Sequence, residues 1–103
     1  MQHQKEQISR EDIIKRVRSE KKYLAEKYNV SEIGLFGSFA RNEQKKRSDI
    51  DLLISFSKVP DLFTYVDIML YLKEKFGRKV DLISKNALRE EIREQILKEV
   101  LYI

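Results

Sequence analysis

The chain has 103 residues, the size of one domain with one core; at 42% hydrophobic and 37% charged residues it is too apolar for disorder yet heavily charged at its surface. It has no cysteine and one histidine, His3 in a polar N-terminal stretch, which excludes disulfides, thiolate nucleophiles and Cys-ligated zinc and argues against Ser-His-Asp chemistry, so any metal must be held by oxygen. The net charge of +4 suits a polyanionic ligand, either nucleic acid or a triphosphate; no apolar run approaches the roughly 20 residues of a membrane span and Met1-Gln2-His3-Gln4 is no secretory core, so a cytoplasmic protein without a membrane partner is expected.

Ser9 with Asp12 three residues on forms a capping box, and Ile13, Val17, Leu24 and Tyr28 then recur at helical spacing. This predicts a helix from about Ser9 to Tyr28, broken by Asn29. Val30 to Phe36 reads as a short strand running into the turn Gly37-Ser38, and the charged stretch Arg41 to Arg47 as a loop or a frayed helical turn. Ile50, Leu52 and Ile54 alternate with Asp49, Asp51 and Leu53, giving a second strand with two carboxylates on one face.

Pro60-Asp61 opens a second long helix that Gly77 ends. Leu62, Val66, Met69 and Phe76 mark its core stripe, with Ile68 and Tyr71 outside it; counting those two, the apolar arc widens to roughly 220°. They could be covered by another helix or form an exposed patch that docks a partner protein. Val80 to Ile83 read as a third strand, and Asn86 can cap a last helix through Leu88, Ile92, Ile96 and Val100. Val100 to Ile103 can either finish that helix or turn into an edge strand. The order helix, strand, strand, helix, strand, helix predicts an α/β or α+β layer, a small mixed sheet with helices packed on it, in one domain over residues 1–103.

The chemistry concentrates in the spacing Gly-Ser-x10-Asp-x-Asp, from Gly37-Ser38 to Asp49-Ile50-Asp51. Side chains two apart on a strand share a face with Cα atoms about 6.6 Å apart, so both carboxylates can converge on one divalent cation or bridge two. Asp81, amid apolar residues of the third strand, is expensive without a cation or donors. Asp49, Asp51 and Asp81 together would make an oxygen-only site for Mg²⁺ or Mn²⁺, with Asp49 and Asp51 as the catalytic pair. Phosphoryl and nucleotidyl transfer use such a cage, where two cations about 3.5–4 Å apart stabilise attacking and leaving oxygens. Gly37 lets backbone approach a phosphate, Ser38 and the following amides can donate to triphosphate oxygens, and Arg41 and Arg47 can neutralise phosphate charge. Like charges this close repel, so Asp49→Asn is expected to raise the melting temperature without metal.

The run Gly34-Leu35-Phe36-Gly37-Ser38-Phe39-Ala40-Arg41 followed by Ser48-Asp49-Ile50-Asp51-Leu52-Leu53 resembles the minimal (MNT-type) nucleotidyltransferases of the DNA polymerase β superfamily, and the resemblance extends nearly to the end of the chain. It implies a polymerase β-like nucleotidyltransferase fold, with Ser38 helping to bind the triphosphate of ATP and Asp49, Asp51 and Asp81 binding metal. It further implies an antitoxin that adenylylates a tyrosine of a HEPN-domain RNase toxin. Where the family usually has a glycine after the motif arginine stands Asn42, the next most tolerant residue of a left-handed backbone. Two alternatives stay open: a subunit that nucleotidylates a small molecule such as an aminoglycoside, and a catalytically silent basic binding module. Nucleic acid is not expected as the primary partner.

Overall fold

Ser9 caps the first helix as its spacing to Asp12 predicts. In the computed structural model, which describes residues 8–103 and so leaves His3 outside the described residues, the Ser9 hydroxyl accepts from the Asp12 amide at 3.1 Å and the Asp12 carboxylate from the Ser9 amide at 3.2 Å. Helix α1 (Arg10–Tyr28) follows, buries Ile13, Val17 and Leu24, and ends at Asn29 in a left-handed conformation, φ 62°. Strand β1 (Val30–Phe36), the single turn α2 (Gly37–Ala40) and strand β2 (Ile50–Phe56) come next. Helix α3 (Leu62–Phe76), strand β3 (Val80–Ser84), a 3₁₀ turn (Lys85–Ala87), helix α4 (Glu90–Glu99) and strand β4 (Leu101–Tyr102) complete the chain.

The four strands form one mixed sheet in the order β3-β2-β1-β4, with β2 antiparallel to β1 and parallel to β3, and β4 antiparallel to β1. This is the expected small mixed sheet with helices packed on it. Strand alternation divides it into two faces. Ile50, Leu52 and Ile54 pack with α1 and α3 in the main core, while Leu53 packs with Phe36, Ile96 and Val100 beneath α4. Asp49, Asp51 and Leu53 share parity, as do Asp81 and Ile83, so the acids belong to the α4 face.

Two sequence expectations are corrected. On α3, Ile68, Leu72 and Phe76 face the core, and Tyr71 packs against it and donates to Glu20 at 2.5 Å. Leu62 and Val66, expected inside, are 74% and 37% exposed. The apolar arc of the helix is wider than one sheet contact needs, so its period does not fix which part faces inward and the sheet selects the face. Asn86 caps nothing: it lies in the 3₁₀ turn, and α4 starts at Glu90 behind Arg89, which makes no side-chain cap bond. Glu90 and Glu91 in the first turn supply favourable charge instead. The open end resolves to an edge strand, because Gly34 lacks a Cβ that would collide with Val100 and so lets the chain cross onto β1.

Candidate active site

Phe36, the last residue of β1, pairs with Asp51, and Asp51 pairs in parallel register with Asp81. Asp49 stands just before β2, so the three acids gather at one end of the sheet beside the turn that leaves β1. Gly37 in that turn has φ +77°, and a Cβ there would run into the Asp51 carboxylate. Only glycine meets both demands. Ser38 follows, half-buried in α2, whose underside is anchored by buried Phe39 and Ala40.

The return loop is held by its own bonds. The Arg41 amide donates to Gly37 and the Glu43 amide to Ser38, and Asn42 adopts φ 59°, the left-handed backbone expected at the position where it replaces glycine. The Lys45 amide donates to the Ser48 hydroxyl at 2.7 Å, and the Ser48 carbonyl accepts from Arg78 at 2.9 Å, which ties the loop to the start of β3.

Asp51 is the perturbed acid. Burial, then the neighbouring Asp81 carboxylate and a hydrogen bond to it, then Asp49, push its pKa from 3.8 to about 6, with Arg41 opposing. Lys79 Nζ lies 3.8 Å from both Asp49 and Asp81. Among the described residues no three acids are drawn together tightly enough to form a ready metal cage. The Lys79 ammonium bridges two of them as a monovalent counter-charge. The donor set fits a divalent cation nonetheless, since it is all oxygen, converges from two register-matched strands and includes one carboxyl whose ionised form lacks sufficient counter-charge.

The two arginines separate. Arg47 lines a cavity of about 550 Å³ with Arg16, Asp49, Arg78 and Lys79. Arg41 instead bonds Glu43 at 2.9 Å and Glu99, the last residue of α4, at 3.1 and 3.3 Å. The Gly37 amide also donates to Glu99, at 2.8 Å. Sequence reasoning missed both Lys79 and Glu99. The first was detectable, because Lys79 stands two residues before Asp81 at the entry to β3; the second left no local signal, being 62 residues from Gly37.

Residues 19–103 match the family profile described as Polymerase beta, Nucleotidyltransferase. The chain belongs to this nucleotidyltransferase family. It is an enzyme of that family. It is 38% identical over 96 residues to the protein adenylyltransferase MntA of Thermococcus cleftensis, covering 93% of this chain and 97% of that one. In three dimensions it is similar to a candidate minimal nucleotidyltransferase, with a TM-score of 0.78 at 30% identity over 91% of this chain and 95% of the other. A structure of a tri-AMPylated Shewanella oneidensis HEPN toxin in complex with its MNT antitoxin shares the nucleotidyltransferase fold, at TM-score 0.60 and 20% identity, covering 94% of this chain and 70% of that one.

Proposed function

We propose that the chain transfers AMP from ATP to a tyrosine hydroxyl of a HEPN-domain toxin and so acts as that toxin's antitoxin. The observation that carries this reading is the register that sets Asp51 beside Asp81 and next to the Gly37 turn, with Asp49 just before β2 at the same end of the sheet. Support for the protein acceptor comes from the near full-length likeness to a protein adenylyltransferase. In the reaction a bond forms between the acceptor oxygen and the α-phosphorus, the bond from that phosphorus to the β-phosphate oxygen breaks, pyrophosphate leaves, and the acceptor's hydroxyl proton is released to solvent. Asp49, Asp51 and Asp81 would hold Mg²⁺ or Mn²⁺, which supplies charge neutralisation on the reacting phosphate oxygens. Ser38 and the Gly37 turn bind and orient the triphosphate, with Arg41 and Arg47 as its counter-charges. The Gly37 turn also sets the backbone close to Asp51 with no side chain between them.

The test is to express the chain together with a HEPN-domain protein and follow that protein by intact-mass spectrometry. AMP-sized additions should appear with ATP and Mg²⁺ and vanish with the Asp49→Asn, Asp51→Asn double variant. Their persistence in that variant would refute the proposed mechanism.

A further inference from the structure

We propose that Glu99 is an internal competitor of the nucleotide: its carboxylate holds the Gly37 amide and the Arg41 guanidinium until a triphosphate displaces it. The inference rests on the reading of Gly37 to Arg41 as the phosphate-binding turn. The geometry is specific. One carboxylate oxygen accepts from the Gly37 amide at 2.8 Å, and both accept from Arg41 Nη1, at 3.1 and 3.3 Å. A backbone amide beside a guanidinium is the donor set that phosphate oxygens use, and two anions cannot share it without repulsion.

The location of Glu99 sharpens the point. It is the last residue of α4, where the negative end of the helix disfavours an acid. Its side chain is only 20% exposed. Gly37 and Arg41 therefore supply the compensation that keeps a carboxylate there. Departure requires only rotation of the Glu99 side chain, because the backbone behind it is fixed separately: the Val100 amide donates to Ile96, β4 pairs with β1, and the Ile103 amide donates to Ile33 at 2.9 Å. The last helix thus carries a charge that sets nucleotide affinity, although Glu99 touches no acid of the proposed metal cage by any hydrogen bond found among the described residues.

Calorimetric titration of the full chain with inorganic tripolyphosphate, and with α,β-methylene-ATP and Mg²⁺, tests this in wild type, E99Q, R41Q and the double variant. Removing the competing charge raises the fraction of sites open to ligand, so E99Q should bind both probes roughly five- to tenfold more tightly. In the R41Q background the same change should have much less effect, since the contested guanidinium is gone. E99D, which keeps the charge but withdraws it by one methylene, provides a second variant should E99Q melt early, and it should also bind more tightly than wild type. Unchanged or weaker binding by variants that melt like wild type overturns the proposal and makes Glu99 a structural strut. Binding of tripolyphosphate by neither wild type nor E99Q overturns it as well. Tighter binding by E99Q without AMP transfer to a HEPN partner would leave the displacement intact and defeat the transferase reading instead.

Discussion

Asp51 sits half-buried on the sheet face that carries the other two acids, and its ionisation is the least favourable event in the metal-free site. Its folded pKa of about 6 exceeds the ordinary 3.8, so the folded chain binds this proton more tightly than the unfolded chain does. The corresponding stability is complete below about pH 4 and is lost as the pH rises through about 6. After allowance for its exposure the loss amounts to roughly 1 kcal/mol. Asp51→Asn should therefore raise the metal-free melting temperature at pH 7, flatten its decline between pH 4 and 6, and abolish transfer. A pH series of melting curves checks this. The sequence pointed to Asp49 for the same effect, but Asp49 has Lys79 at 3.8 Å, a partner whose loss offsets the relief of repulsion. Gly37→Ala is the complementary change. It places a Cβ against the Asp51 carboxylate at positive φ, which should cost about 1–2 kcal/mol from the backbone alone and suppress AMP transfer. Denaturant unfolding measures the first effect and partner mass the second.

Helix α3 shows how an element is decided by what it packs on. Leu62, Phe63, Val66 and Leu70 are exposed, whereas Ile68, Leu72 and Phe76 repeat every four residues against the sheet. Ile68→Ala should cost about 2–5 kcal/mol, while Phe63→Ser, at a side chain 82% exposed, should change stability by less than about 0.5 kcal/mol. Urea titrations of the two variants compare them directly, and equal losses would contradict the assigned face. A combined change of Ile68 to Lys and Tyr71 to Ser should unfold the domain, since the first is buried and the second packs on the core and bonds Glu20. The ends of α1 and α3 were legible because capping is local: Ser9 with Asp12, Asn29, Asp61 and Gly77 each act within a few residues. The inward face of α3 was not, because its apolar arc is wider than the part that packs on the sheet.

For the molecule as a whole, ligand binding should be coupled to folding through the acids contributed by two strands and the turn after a third. Mg²⁺ with ATP at about a hundredfold above the dissociation constant should stabilise the wild type by about 2.7 kcal/mol, and should leave the Asp49→Asn, Asp51→Asn double variant nearly unchanged in differential scanning calorimetry. The caps of α1 and α3, the period-two strands and the Gly-Ser-x10-Asp-x-Asp spacing were determined by the sequence itself, because each depends on residues within one turn, one strand or one loop. Tertiary structure decided the rest. The Asp51–Asp81 register, the Lys79 bridge, the β4 edge strand and the hold of Glu99 on Gly37 and Arg41 join residues from separate elements. Such contacts form only when the sheet brings distant segments together, and no period or local spacing records which segments those will be.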